Sequence, residues 1–238
     1  MHEYYLANLA KYHKTMINYL SPIKNELEET MNLSFDEIID ASFKIYKEEM
    51  LERFPYIGGD KVSGTNNLVG AYMFIALGEL MTRNGIKLET WGYLTTLAYR
   101  RYFNKIPKFI TKLGPQLLKH PKFVLKMLKK KDQQNASNVQ INPGSFETKV
   151  ISDDPNYDVV YLNLVCPLSN FAKTYGYEKY MPYICNLDYV TFKIFNLPFY
   201  RTKTCFKGDE YCDFKFKLGA KINDDWPCHY FDSSDDLN

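Results

Sequence analysis

Apolar positions recur at helical spacing through the first two-thirds of the chain and alternate in its last third. After Ser34, the residues Phe35, Ile38, Ile39, Ala41, Ser42, Ile45 and Tyr46 follow a period near 3.6 and predict a helix. Ser34 and Glu37 form a capping box at its start, each satisfying a backbone donor of the other. Phe54-Pro55-Tyr56-Ile57-Gly58-Gly59 ends this region, because Pro and paired Gly break helical periodicity. A second helix is predicted over Asn67–Arg83 with Gly85 at its C-cap. It is apolar on nearly every face, which places it centrally. A third runs over Leu88–Phe103, and Pro107 and Pro115 each suit the first turn of a shorter basic helix. Residues 131–143 are polar and aperiodic and read as a linker.

Beyond residue 143 the period changes. Phe146–Ile151 and Asp158–Val165 read as strands joined by a turn at Asp153-Asp154-Pro155-Asn156. Cys166-Pro167 opens a short helix that Gly176 closes, and a longer helix covers Glu178–Phe195. Phe199–Phe206 and Tyr211–Leu218 form a hairpin around Lys207-Gly208-Asp209-Glu210, with Gly208 serving the turn. The expected fold class is α+β: a helical N-terminal half packed against an antiparallel sheet with two inserted helices. Residues 1–135 form the helical region, 144–220 the α+β region and 221–238 an acidic tail, all within one compact domain.

Charge adds asymmetry to this picture. The net charge is only +2, yet no acidic residue lies between Thr90 and Lys131, a stretch holding eleven Lys and Arg from Arg100 to Lys131. The tail carries Asp224, Asp225, Asp232, Asp235 and Asp236 instead. The basic stretch reads either as a solvated face or, over Pro115–Lys131, as a surface that contacts anionic membrane. It holds no known nucleic-acid motif, so the expected partner is a small molecule and not a nucleic acid. The N-terminus lacks the apolar core of a secretory signal, and the longest apolar run, Leu68–Leu80, is too short to span a bilayer. Five cysteines, all in the C-terminal third, are too sparse for a disulfide framework. Reduced thiols and a cytoplasmic location follow as expectations. With 20 Tyr and 16 Phe, the core and its rim are expected to be aromatic.

The candidate chemistry falls between Cys166 and Phe214. Cys166 enters a helix N-terminus, where backbone donors and the helix dipole favour thiolate. Cys185 and Asp188 stand three apart on one helical face. Cys212, Phe214 and Phe216 alternate onto one strand face, leaving Asp213, Lys215 and Lys217 on the solvent side. A pocket between the Cys185 helix and the hairpin would then gather thiols, a carboxylate and the Arg201 guanidinium. Asp188 and Arg201 also read as a structural ion pair, and buried free cysteines as small hydrophobes; Cys205 and Cys228 are assigned that structural role. Arg201 and Thr204 have opposite strand parity, so both line one pocket only if a bulge separates them. Cys166, Cys185, Cys212 and Asp188 are a ligand set zinc accepts, but no Cys-x-x-Cys occurs, and the expectation is a site without metal or other cofactor. His2, His13, His120 and His229 lie outside the constellation.

The order Cys166-Pro-Leu, Gly176, Cys185-Asn-Leu-Asp188, Arg201-Thr-Lys-Thr204, Gly208 and Cys212-Asp213-Phe214 resembles the L-2-amino-thiazoline-4-carboxylic acid hydrolase family. Pro55-Tyr56-Ile57-Gly58-Gly59 and the helix before Gly85 look similar too, so the likeness spans roughly Phe54–Phe216. The resemblance implies ring-opening hydrolysis of a cyclic amidine-like heterocycle of the 2-amino-thiazoline-4-carboxylate class to a carbamoyl-cysteine. Under it, Cys185 or Cys166 serves as nucleophile or Asp188 as base on water; Arg201, Thr204 and Cys212 bind substrate. The alternative is a non-catalytic small-molecule binding or sensing module, since the C-terminal hairpin also resembles vinyl-reductase-type ligand domains. A cavity-facing thiol with depressed pKa marks the enzyme; an Asp188 tied to Arg201 in an aromatic pocket marks the binder. An exposed apolar stripe on the Pro115 helix marks a membrane-surface protein.

Overall fold

The computed structural model describes residues 2–62 and 64–231. Helices α1 (Glu3–Ala7), α2 (Leu9–Leu20), α3 (Lys24–Met31) and α4 (Phe35–Ile45) lead to α5 (Gly64–Arg83) and α6 (Leu88–Phe103). The basic segment forms α7 (Lys108–Thr111), α8 (Leu113–Leu118) and α9 (Pro121–Ile141). Then come β1 (Glu147–Ile151), β2 (Val159–Val165), α10 (Pro167–Tyr175), α11 (Met181–Ile194), β3 (Phe199–Tyr200) and β4 (Cys212–Phe216). The strands form one antiparallel sheet in the order β1-β2-β4-β3, giving the α+β class expected.

Local signals account for several elements. The capping box at Ser34 is present, with Glu37 Oε2 accepting from the Ser34 amide at 2.8 Å. α5 is buried over most of its length, and α10 begins at Pro167 with Cys166 as its N-cap and ends at Gly176 in the left-handed region. α6 and α11 pack closely because Gly92 has no side chain: a Cβ there would sit 2.1 Å from the Tyr183 ring. Trp91, the neighbouring residue, is fully buried and donates its indole N–H to the Phe74 carbonyl at 3.0 Å.

Three expectations need correction. Residues 131–141 are not a linker but the C-terminal half of α9. Their polar side chains hold β1, an edge strand: Asp132 accepts from the Val150 amide at 2.7 Å and from the Thr148 hydroxyl at 2.6 Å, and Asn135 donates to that hydroxyl at 2.9 Å. A carboxylate thus takes up a free edge N–H, a role that carries no periodicity. Pro115 falls in the first turn of α8, as expected, and a further helix of the basic segment opens at Pro121. The hairpin is also shorter than predicted, since regular pairing covers only Phe199–Tyr200 against Lys215–Phe216. There Asp213, expected to face solvent, is buried and accepts from the amides of Thr202 (2.8 Å) and Lys203 (2.7 Å) and the Thr202 hydroxyl (2.7 Å). Its carboxylate replaces ladder partners and pulls the chain out of strand geometry after Tyr200. Of the acidic tail, Asp224 and Asp225 pair with Lys193, and Asp225 with Arg100; Asp232, Asp235 and Asp236 lie outside the described residues. Among the described residues, no helix is long and apolar enough to cross a membrane.

Candidate functional site

The inner face of the sheet follows from its register. Thr148 opposes Asn163, Asn163 opposes Cys212, and Tyr161 opposes Phe214, so these five side chains share one face. Opposite them α11 contributes Cys185 and Asp188. The space between is a cavity of about 310 Å³, closed further by α5, α6 and α9. It is a mixed pocket, with Tyr19, Phe74 and Tyr99 at one side and Asn66, Asn67 and Asn163 among its polar groups. It therefore differs from the Tyr- and Phe-only pocket that would mark a pure binder.

Five of the six residues singled out from sequence line this cavity: Cys166, Cys185, Asp188, Arg201 and Cys212. The sixth, Thr204, does not. It is buried in the turn, its amide donating to Asp209 at 2.8 Å and its carbonyl accepting from the amides of Lys207 and Asp209. The departure from strand geometry at Asp213 leaves Arg201 facing the cavity and sends Thr204 into the loop. Sequence reasoning passed over Tyr161 and Asn163, which share the parity of Cys212 and Phe214 across the ladder, and over Lys131, Asp132 and Asn135, taken as linker.

Arg201 is the electrostatic centre. Its Nη2 lies 2.8 Å from Asp188 Oδ2, its Nη1 donates to the Tyr230 hydroxyl at 3.0 Å, and its guanidinium carbon stands 4.0 Å above the centroid of Phe214. Burial is the largest single effect on it and opposes its charge, but the Asp188 carboxylate together with Tyr230, Cys185 and Cys212 outweighs that and holds the guanidinium protonated. Nη2 and Oδ2 attract at ion-pair distance without an aligned N–H···O bond, so this buried nitrogen keeps donor capacity among the described residues. Asp188 is the more open partner, its side chain 39% exposed against 1% for Arg201.

The thiols differ from the sequence expectation. Cys166 faces the cavity, and the amides of Ser169 and Leu168 at the start of α10 do favour its thiolate. Burial outweighs them and pushes the thiol up to about 11. Cys185 is raised further by burial, in spite of Arg201. Cys212 is raised by its hydrogen bond with Cys205 and by burial. The depressed thiol expected of a nucleophile is thus absent from the thiols that line the cavity. Nor do the thiols converge on a metal: among the described residues no three His, Cys, Asp or Glu side chains are grouped closely enough to hold an ion.

Comparison with curated proteins and with solved structures finds no match. The sequence profile of the L-2-amino-thiazoline-4-carboxylic acid hydrolase family matches residues 66–216, from the start of α5 to the end of β4. That span holds every cavity-lining residue of the Cys, Asp and Arg constellation, and it covers well over half of the chain. The chain belongs to the L-2-amino-thiazoline-4-carboxylic acid hydrolase family.

Proposed function

We propose that this chain is a hydrolase that opens a small cyclic amidine-like heterocycle carrying a carboxylate, of the 2-amino-thiazoline-4-carboxylate class. The observation behind this reading is the pairing of a buried Arg201, with donor capacity left on Nη2, and a more open Asp188 in one cavity. A volume of about 310 Å³ suits a small ring and a few waters. Arg201 binds the ring carboxylate through Nη2, the nitrogen with donor capacity left, in a charge-assisted hydrogen bond. Asp188 takes a proton from water, whose oxygen bonds to the ring carbon between nitrogen and sulfur. The C=N π pair moves onto nitrogen, which takes up that proton; the bond from the carbon to a ring heteroatom then breaks as the added hydroxyl becomes the carbonyl and passes its proton through Asp188 to the departing heteroatom, and a carbamoyl-cysteine results. Because burial keeps Cys166 and Cys185 protonated, water activated by Asp188 is favoured over thiolate attack.

Product formation from 2-amino-thiazoline-4-carboxylate by wild type, Asp188→Asn, Cys185→Ser and Cys166→Ser tests the assignment. Loss of roughly a hundredfold or more in kcat for Asp188→Asn, with both serine variants within about tenfold of wild type, is the expected result. Loss in Cys185→Ser or Cys166→Ser with the fold intact moves the chemistry to that thiol. The Asp188–Arg201 ion pair favours a second reading, a non-catalytic binding module. Saturable binding of the heterocycle by calorimetry with no turnover would establish it in place of the hydrolase.

A further inference from the structure

The basic segment carries its apolar residues outward. On α7 and α8, Phe109, Leu113 and Leu117 stand four apart and are exposed, Phe109 at 70%. On α9, Phe123 (54% exposed) and Met127 (55%) repeat that spacing. Lys122, Lys126 and Lys130 form a second exposed stripe displaced by one residue, hence directly beside the Phe123–Met127 stripe on the helix. Val124, Leu125 and Leu128 of the same helix are the ones that pack on the core. Core packing therefore accounts for one side of α9 and leaves the other unexplained.

Charge identifies what this surface fits. None of the lysines from Lys105 to Lys131 pairs with a carboxylate among the described residues, and no acidic side chain lies within the stretch itself. Cations beside protruding Phe, Leu and Met match an interface that is anionic at its surface and apolar beneath. A single-stranded nucleic acid offers the charge but wants stacking aromatics, and Leu113, Leu117 and Met127 supply none. An acidic peptide offers charge without hydrocarbon depth. A bilayer leaflet rich in anionic headgroups offers both.

We infer that α7–α9 form a docking surface for an anionic membrane, on which the protein rests peripherally with Phe109, Leu113, Leu117, Phe123 and Met127 entering the headgroup–acyl boundary and the lysines meeting lipid phosphates and carboxylates. α9 also lines the cavity, through Leu128, Lys131, Asp132 and Asn135. One helix therefore joins the docking face to the site, and membrane contact brings the cavity to the lipid surface.

Co-sedimentation of the full chain with vesicles of phosphatidylcholine alone, and of phosphatidylcholine mixed with phosphatidylserine, tests this. Binding is expected only with phosphatidylserine, falling steeply as salt is raised. The Lys122→Glu/Lys126→Glu/Lys130→Glu variant is expected to bind at least about a hundredfold more weakly, on the order of a fivefold loss for each cation removed and more on reversal. Phe123→Ser/Met127→Ser is expected to weaken binding about tenfold at unchanged charge. All five positions are exposed, so circular dichroism and thermal melts should match wild type. Absence of binding to anionic vesicles, or equal binding by wild type and both variants, overturns the inference. So does self-association, or capture of a single-stranded RNA oligonucleotide, that uses the same residues while vesicles are ignored.

Discussion

The Arg201 guanidinium reaches Asp188 at 2.8 Å from a position almost wholly buried, while Asp188 keeps more than a third of its side chain open to the cavity. The pair is asymmetric: the cation is fixed by Tyr230 and Phe214 from behind, and the anion is the accessible partner. Removing the carboxylate strands a buried charge, whereas removing the guanidinium frees an already solvated one. Asp188→Ala is therefore expected to destabilise the fold by about 2–3 kcal/mol, below the full cost of breaking a dry pair because Asp188 is partly hydrated. Asp188→Asn, which keeps the volume and one acceptor, should cost less. Urea denaturation of the two variants checks the order, and equal or inverted losses would contradict the asymmetry.

Alkaline pH should weaken the fold through its buried acids. The Cys166 and Cys228 thiols are pushed up by burial to about 11 from an ordinary 9.0. Each holds its proton in the folded state at pH values where the unfolded chain has lost it. Their stabilising contribution is therefore complete below pH 9.0 and lost as pH rises through about 11. Buried tyrosines such as Tyr19, raised to about 12, extend the decline. Melting temperature measured from pH 8 to 11 should fall mainly above pH 9, roughly at the ordinary thiol pKa. Cys166→Ser should shallow that fall, and an unchanged slope would show that the thiol stays ionisable in the fold.

The same protonation predicts slow alkylation. Iodoacetamide at neutral pH should modify Cys166 and Cys185 at well under a tenth of the rate of a free thiol, since the thiolate is the reactive form. Mass spectrometry of the peptides containing each cysteine reads this directly. Rapid neutral-pH labelling of Cys185 would return the nucleophile role to it.

Gly92 sets the distance between α6 and α11. An added Cβ meets the Tyr183 ring at 2.1, 2.4 and 2.6 Å, so the ring or the helix must move. Tyr183 is itself buried, and it packs edge-on against Trp91 at 5.7 Å. Gly92→Ala should cost about 1–3 kcal/mol despite the better helix propensity of Ala. A melting temperature at or above that of wild type would mean the helices have slack that the packing denies.

Asp132 is expected to matter for the sheet rather than for α9 itself. Asp132→Ala removes acceptors from the Val150 amide and the Thr148 hydroxyl and should cost about 1–3 kcal/mol. Amide exchange at Val150 should accelerate while exchange along α9 changes little. Uniform acceleration across both elements would assign Asp132 to helix stability instead.

Much of this protein was settled by sequence-local physics. The capping box at Ser34, the all-round apolar α5, the bounds of α6 and the Cys166-Pro167 helix start follow from side chains within a few residues of one another. The ordered Cys, Asp and Arg positions also sufficed to bring the family into view. Only the tertiary structure decided what acts across distance. Residues 131–141 carry no apolar period, because their partners are an edge strand's N–H and hydroxyl groups, which hydrophobic spacing does not register. Asp213 looked solvent-facing by strand parity until backbone amides of the opposite arm claimed it, and that choice kept Arg201 in the cavity while turning Thr204 away. The thiols were misjudged for a related reason. A helix N-terminus is local and visible in sequence, but burial depends on every element that closes over the site, and at Cys166 burial is the larger effect.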